Sequence, residues 1–256
     1  MTLDLVLDIG NSSVKTGFFE ENSLKECASL PHDGIQNSLK DKLKGLSFQC
    51  AMISSVNAQI EQTVKQLLEE EKIPYHLLHY KDLKVILEVD EPEALGPDRI
   101  ANIYGALFHY PYNDCIVVDI GTAVTFDYIT KDGHYVGGSI YPGSDLCAKA
   151  LANFTDKLPY VKIAKPLSPL AKTTETHIQS GIYYGLLGAI ERMVAELQMT
   201  AQSPSSVHVI ATGGATFSDA TGGNEFLEDL KELVDVIDPH LTLVGLHEIL
   251  KEKRRK

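Results

Sequence analysis

The chain has 256 residues, of which 44% are hydrophobic, and a formal net charge of -12. This composition can bury a substantial core, and the acidic balance argues against a nucleic-acid partner, whose phosphates require basic side chains. The four cysteines are scattered, and no stretch approaches the roughly 20 apolar residues of a membrane span. We therefore expect a cytoplasmic protein with no zinc site, no membrane partner and no nucleic-acid partner.

The first predicted element is a strand that leads into a tight hairpin. An apolar run precedes Asp8-Ile9-Gly10, and a second strand follows after small polar residues. Gly10 permits a sharp turn, so the backbone N–H groups of residues 11–13 can point at phosphate oxygens, which Lys15 can also reach. Asp8 would repel phosphate and is expected to hold Mg²⁺ through water. An ordinary structural turn is the alternative interpretation.

A helix start is predicted at Gly96-Pro97-Asp98-Arg99, after a strand over residues 50–56 and an amphipathic helix over residues 60–68. A carboxylate at this position can accept a proton from a substrate hydroxyl, so Asp98 is the candidate general base. Arg99 is expected to bind an anionic group. Capping of the helix by Asp98 is the simpler alternative.

The second half of the chain repeats the hairpin. Residues 116–124 match residues 5–13, with Asp119-Ile120-Gly121 in the place of the first Asp-Ile-Gly triplet. Thr122 supplies a hydroxyl and a backbone donor, whereas by residue count Phe126 stands where the first copy has its lysine. Each copy alone is an ordinary turn, but two copies in facing domains can grip one polyphosphate, which indicates phosphoryl transfer.

The later segments continue the alternation of strands and helices. Strands are predicted over residues 125–129, 134–140 and 207–211, and apolar residues at helical spacing predict helices over residues 178–197 and 226–234. The glycines within residues 137–143 are interpreted as turn residues.

Two further groups of glycines each have a structural and a functional interpretation. Thr212-Gly213-Gly214 follows a predicted strand, where a bare backbone can lie against an adenine or ribose. The helix over residues 178–197 contains Gly181, Gly185 and Gly188, which destabilise a helix unless close packing compensates. Either a domain contact within the subunit or a subunit interface would supply that packing.

Together these elements predict an α/β protein made of two similar domains that face a shared cleft. The predicted domains are residues 1–112, with the first hairpin, and residues 113–256, with the second hairpin and the glycine-containing helix. Pro111 and Asn113 interrupt the pattern at this boundary.

The order of the motifs resembles that of the type III pantothenate kinases, in the acetate and sugar kinase, Hsp70 and actin superfamily. The resemblance covers nearly the whole chain and is carried by DIGNSSVK at 8–15, ISSV at 53–56, GPDR at 96–99, DIGTAVT at 119–125, GGSIYPG at 137–143 and TGG at 212–214. It implies duplicated actin-like (ribonuclease H-like) domains with mixed sheets and flanking helices around a central cleft. The implied reaction is the ATP-dependent phosphorylation of pantothenate to 4'-phosphopantothenate, the first step of coenzyme A biosynthesis.

The same resemblance implies roles for particular residues. Asp98 would accept the proton, Asp119 would bind a monovalent cation, K⁺ or NH₄⁺, and the chain would work as a homodimer. The expected pantothenate residues are Gly96, Pro97, Asp98, Arg99 and Thr174. The expected ATP residues are Asp8, Ile9, Gly10, Asn11, Ser12, Ser13, Val14, Lys15 and Thr122, joined by Gly213 and Gly214 from the glycine-rich turn.

Two positions depart from the family pattern. Val89 stands where family members often have a substrate-site tyrosine, and Thr173 replaces the usual asparagine before Thr174. These departures leave open a non-catalytic ATP-binding regulator of the same fold, or a kinase for another small hydroxylated substrate.

Overall fold

The protein is described by a computed structural model that covers residues 2–82, 84–201, 207–216 and 224–255. The chain divides into two compact units. Unit 1 comprises Met1–Pro111 together with His240–Lys256, and unit 2 comprises Tyr112–Pro239. The C-terminal segment therefore belongs to the first unit, whereas the division predicted from the sequence placed it in the second domain.

Strands and helices alternate through both units. In chain order they are β1 (Leu3–Ile9), β2 (Ser13–Glu20), β3 (Ser23–Pro31), α1 (Ile35–Leu43), β4 (Phe48–Ser55), α2 (Ala58–Glu70), β5 (Tyr75–Leu77), β6 (Ile86–Leu87), α3 (Pro97–His109), β7 (Asp114–Ile120), β8 (Ala123–Ile129), β9 (His134–Pro142), α4 (Ser144–Phe154), α5 (Thr174–Thr200), β10 (Val207–Thr212), α6 (Asn224–Lys231), β11 (Val236–Ile237) and α7 (Leu241–Arg254). Within the described ranges, no helix combines the length and apolar character needed to cross a membrane.

The sheet of unit 1 has the strand order β3-β2-β1-β4-β5, with β1 antiparallel to β2 and parallel to β4. Alternate residues of β1 enter two cores: Leu5 and Leu7 pack with α1 and α2, and Val6 packs with α3 and α7. A strand with both faces covered is expected to be almost wholly apolar, which explains the continuous hydrophobic run before Asp8.

Helix α7 joins unit 1 because its backbone lies directly against α3. A Cβ atom placed on Gly245 would overlap the carbonyl of Ala101 and lie 2.8 Å from the backbone nitrogen of Gly105. A Cβ on Gly105 would likewise overlap the carbonyl of Leu241. Small residues at a crossing let helix backbones approach closely, so these two glycines hold the C-terminal helix on α3.

A buried polar contact also fixes α7 to the sheet. His247, which is 1% exposed, places Nε2 3.0 Å from Oδ2 of Asp4, and its ring stacks on Phe19 with 4.1 Å between centroids. Arg254 pairs with the same carboxylate. Burial lowers the pKa of His247, although the hydrogen bond with Asp4 opposes this effect. The folded state therefore favours the neutral ring.

This buried ring predicts a loss of stability in mild acid. The unfolded chain binds a proton near the ordinary histidine pKa of about 6.5, whereas the folded chain resists it, so the free energy of unfolding should fall as pH drops below that value. One such site contributes a slope of at most about 1.4 kcal/mol per pH unit. Urea unfolding between pH 7 and 5 should show a flatter dependence for His247→Gln, and the wild-type dependence for His76→Gln at an exposed position. Equal slopes in all three proteins would contradict the expectation.

Unit 2 repeats the topology of unit 1. Its strands follow the order β11-β10-β7-β8-β9, with β7 antiparallel to β8 and parallel to β10. Helices α5 and α6 cover one face, where Ile116 and Val118 of β7 pack with Leu186 and Ile190 of α5. The predicted α/β class with duplicated mixed sheets and flanking helices is confirmed.

Most predicted elements lie where the sequence pattern placed them, but α6 is shorter than expected. It ends at Lys231, whereas the apolar pattern continued through Leu233 and Val234. The chain leaves the helix because Asp235 donates its backbone N–H to the carbonyl of Val209 and accepts from the N–H of Val209 through its side chain. These bonds direct the chain into β11.

Candidate active site

The first hairpin connects β1 to β2 through residues 10–12. Ile9 pairs with Val14, and the N–H of Gly10 donates to the carbonyl of Ser13 at 3.0 Å. Asn11 and Ser12 lie exposed at the tip of the turn. The predicted strand-turn-strand is confirmed, and since the Gly10 N–H closes the turn, phosphate donors would come from the residues after it.

Asp8 lies at the end of β1 between two polar neighbours. It is 7% exposed, and its Oδ1 accepts a hydrogen bond from the fully buried Ser54 hydroxyl at 3.1 Å. Asp8 pairs in register with Ser54 on β4 and with Lys15 on β2, so the three side chains share one face of the sheet. Ser54 has no role that follows from the sequence pattern alone, although a hydroxyl residue at the end of the strand predicted over residues 50–56 was a detectable signal.

Asp98 lies in the first turn of α3, directly after Pro97. Its Oδ1 accepts the backbone N–H of Arg99 at 2.8 Å, which fixes the orientation of the carboxylate. A Cβ on Gly96 would come within 2.5 Å of the same oxygen, so a larger residue at that position would displace the Asp98 carboxylate. The hydrogen bond from the Arg99 N–H to Asp98 gives a partner to one of the unpaired N–H groups at the helix start, as the capping interpretation expects. The helix dipole also favours a negative charge at this end of the helix.

The second hairpin is one residue shorter than the first. Ile120 pairs with Val124 across residues 121–123, and the N–H of Gly121 donates to the carbonyl of Ala123 at 3.0 Å. Asp119 therefore pairs with Thr125, whereas Asp8 pairs with Lys15. The prediction that Phe126 occupies the position of the lysine is wrong by one residue, because equal residue counts do not hold across turns of different length.

Two glycines pack directly against this second hairpin. Gly143, just after β9, donates its N–H to the carbonyl of Thr122 at 3.0 Å, and a Cβ there would lie 2.6 Å from that oxygen. Gly213 has φ +100°, and a Cβ there would lie 2.6 Å from the backbone nitrogen and oxygen of Ile120 and overlap Oδ1 of Asp119. A Cβ on Gly214, by contrast, would enter open space. Gly213 is thus required by packing, and Gly214 offers a bare surface.

Thr212 precedes these glycines at the end of β10. It is fully buried, and its Oγ1 has no hydrogen-bond partner among the described residues. Thr212 pairs with Asp119 on β7, which pairs in turn with Thr125 on β8. Two hydroxyls therefore flank the Asp119 carboxylate on one face of the sheet.

The remaining predicted substrate residues begin helix α5 or follow β6. Thr174 is the exposed first residue of α5, and Thr173 is its N-cap, with Oγ1 accepting the N–H of Thr176 at 3.2 Å. Threonine and asparagine are both good N-caps, so the departure at Thr173 preserves the helix start. Val89 is half-buried in a bend after β6.

Comparison with solved structures identifies the fold. A conserved Campylobacter jejuni protein assigned to the Baf family of transcriptional activators is 22% identical, with a TM-score of 0.62 over 98% of this chain and 100% of that one. Component A of (R)-2-hydroxyglutaryl-CoA dehydratase from Acidaminococcus fermentans is 15% identical, with a TM-score of 0.53 over 100% of both chains. The units have the predicted actin-like fold.

Comparison of sequences identifies the family. A family model described as type III pantothenate kinase matches residues 4–196. Proteins of that name from two strains of Dehalococcoides mccartyi are 32% and 31% identical to this chain over 261 aligned residues, which cover 94% of this chain and 95% and 93% of those proteins. This chain belongs to the type III pantothenate kinase family.

Proposed function

We propose that this protein transfers the γ-phosphate of ATP to the primary alcohol of pantothenate, which gives 4'-phosphopantothenate in the first step of coenzyme A biosynthesis. Family membership over residues 4–196 is the observation that carries the proposal, because that range contains both hairpins and the start of α3. The enzyme is an ATP-dependent phosphotransferase with an alcohol as acceptor.

The first hairpin is proposed to bind the ATP phosphates. The protein carries a net charge of -12, so repulsion of ATP has to be offset locally by backbone N–H groups and by Lys15, which is half-buried beside Asp8. In unit 2, Thr122 offers an exposed hydroxyl to ATP. The open space at Gly214 suits close approach of the adenosine, with Gly213 holding the turn in place.

Asp8 is proposed to hold Mg²⁺ through water. Because one oxygen of Asp8 already accepts from Ser54, a hydrated ion held at one carboxylate and at the ATP phosphates fits better than direct coordination by several side chains. Within the described ranges no three acidic, histidine or cysteine side chains are grouped as a metal cage. When bound, Mg²⁺ neutralises charge on the transferred phosphoryl group.

Asp98 is proposed to accept the proton of the pantothenate hydroxyl. As the hydroxyl oxygen bonds to the γ-phosphorus, its proton moves to the Asp98 carboxylate, and the bond from phosphorus to the bridging oxygen breaks to release ADP. The hydrogen bond from the Arg99 N–H keeps the carboxylate oriented for this transfer. The guanidinium of Arg99 suits the pantothenate carboxylate, and Thr174 is proposed as a further pantothenate contact.

Asp119 is proposed to bind a monovalent cation, K⁺ or NH₄⁺. Its register neighbour on β8 is Thr125, whereas the register neighbour of Asp8 in the first hairpin is Lys15. Gly213 packs closely on Asp119 and Ile120, and this contact brings the Asp119 carboxylate and the carbonyl of Ile120 side by side. A carboxylate beside hydroxyl and carbonyl oxygens is a suitable donor set for a hard cation.

A homodimer is also proposed, and α5 is the element that supports it. Gly181, Gly185 and Gly188 form an exposed stripe, and in the described part of the chain no atom lies within 4 Å of a Cβ placed on any of them. Packing against the described residues of the same subunit therefore does not explain the three glycines. Tyr184 is 37% exposed on the same stripe, which a second copy would cover.

Sedimentation equilibrium at micromolar concentration should give about twice the 28.1 kDa subunit mass. Gly185→Arg should shift the protein toward monomer, since a long charged side chain prevents close helix packing. Gln62→Arg, which adds the same charge at an exposed position of α2, should leave the mass unchanged. A wild-type protein that sediments as a monomer would contradict the dimer proposal.

The kinase function is tested with purified protein, ATP, Mg²⁺, K⁺ and pantothenate. Mass spectrometry should detect 4'-phosphopantothenate, and omission of ATP or pantothenate should abolish it. Folded protein that binds ATP without making product would favour the non-catalytic regulator, and product from another small alcohol alone would favour a different substrate. The four free cysteines suit a reducing compartment, so the proposal places the enzyme in the cytoplasm.

A further inference from the structure

We infer that the hydroxyl of Thr212 is a direct ligand of the monovalent cation at Asp119. The inference rests on the cation role proposed for Asp119 and adds a second side chain to that site. Thr212 ends β10 immediately before Gly213, which packs against the Asp119 carboxylate and the backbone of Ile120.

The burial of Thr212 is the first observation. Its side chain is fully buried, yet within the ranges described Oγ1 makes no hydrogen bond. A buried hydroxyl without a partner destabilises a protein, and such groups usually mark the place of a bound water, ion or ligand. Thr16, which is equally buried, shows the ordinary outcome, because its Oγ1 donates to the carbonyl of Ala28 at 3.4 Å.

Comparison of the two units is the second observation. Ser54 on β4 and Thr212 on β10 occupy the same register position relative to the hairpin aspartates, Asp8 and Asp119. In unit 1 the serine hydroxyl donates to the aspartate at 3.1 Å, beside a lysine. In unit 2 the threonine hydroxyl has no such bond in the described residues, and Thr125 replaces the lysine. The hydroxyl at this sheet position is therefore paired in unit 1 and has no partner among the described residues in unit 2.

The chemistry of these atoms favours a hard monovalent cation. The Asp119 carboxylate, the Thr212 hydroxyl and the carbonyl of Ile120 are all oxygen ligands, and the backbone contact at Gly213 places two of them side by side. Oxygen dipoles of this kind replace the hydration shell of K⁺ in proteins. The hydroxyl of Thr125 donates to Asp127 at 3.2 Å, so unlike that of Thr212 it is already paired within the protein.

The test measures the thermal unfolding midpoint during a KCl titration, with tetramethylammonium chloride keeping the ionic strength constant. The variants are Thr212→Val, which removes only the hydroxyl, Thr212→Ser, which keeps it, and Asp119→Asn. Thr16→Val is the matched control, since it removes a hydroxyl of equal burial that has a partner. Thr212→Ala serves as the second variant if the valine variant fails to fold.

We expect KCl to raise the midpoint of the wild-type protein and of Thr212→Ser. Thr212→Val should need at least about tenfold more K⁺ for half of the shift, and without K⁺ it should be no less stable than wild type. Thr16→Val should unfold earlier at every KCl concentration with an unchanged K⁺ dependence.

If the unfolding midpoint of Thr212→Val depends on K⁺ as in the wild type, while that of Asp119→Asn no longer responds, Thr212 is not a ligand of the cation. The cation role of Asp119 would then remain. If the unfolding midpoint of the wild-type protein does not change with KCl, the cation role of Asp119 and the ligand role of Thr212 are both overturned. Mass-spectrometric detection of 4'-phosphopantothenate made by the wild-type protein would show that the kinase function holds even if either cation role fails.

Discussion

Asp98→Asn should lower the turnover number for pantothenate phosphorylation by about 10² to 10⁴, the usual contribution of a general base. The asparagine side chain has nearly the same shape and its oxygen can still accept the N–H of Arg99, so the start of α3 should persist. The lost function is acceptance of the hydroxyl proton. Steady-state kinetics with both substrates should show a reduced turnover number with little change in ATP binding.

Asp132→Asn is the matched control for this substitution. Asp132 lies in the exposed turn between β8 and β9, so the same loss of charge should leave turnover unchanged. Near-normal turnover in Asp98→Asn would remove Asp98 from the role of base. A parallel fall in ATP affinity would instead indicate damage to the fold.

Gly213→Ala should destabilise unit 2 by roughly 3 kcal/mol, because a Cβ in this left-handed conformation is strained and also overlaps its neighbours. The overlapping atoms are the backbone of Ile120 and the carboxylate of Asp119, and backbone atoms cannot move aside without disturbing the second hairpin. The midpoint of urea unfolding should fall, and the Michaelis constant for ATP should rise.

Gly214→Ala is the control that distinguishes the steric effect of a Cβ at Gly213 from the general effect of replacing a glycine in this turn. A Cβ on Gly214 meets no atom within 4 Å in the described structure, so the variant should be as stable as wild type. Any effect on the Michaelis constant for ATP would then report contact with the nucleotide. Equal unfolding midpoints for both alanine variants would contradict the packing role of Gly213.

Local sequence features predicted the hairpins and the start of α3 because the relevant interactions are local. The turn at Gly10 closes on Ser13, and the Asp98 carboxylate closes on Arg99. The placement of α7 could not be predicted in the same way. It depends on Gly245 meeting Ala101 and Gly105, which are remote in sequence and have no common pattern.

Pairing between strands explains the other differences between sequence and structure. The sequence repeat aligned Phe126 with Lys15, but register across a shorter turn brings Thr125 to that position. Ser54 and Thr212 belonged to recognised motifs, yet their proximity to Asp8 and Asp119 follows only from the parallel pairs β1 with β4 and β7 with β10. Side chains that act through a neighbouring strand need the register before a role can be assigned.

Phosphoryl transfer from ATP to pantothenate is tested most directly by a ³¹P NMR time course with Mg²⁺ and K⁺ present. The signal of the γ-phosphate should decline while one new phosphomonoester signal grows in equal amount, and neither change should occur without pantothenate. Release of inorganic phosphate in place of the phosphomonoester, or an unchanged ATP spectrum from folded protein, would contradict the proposed function.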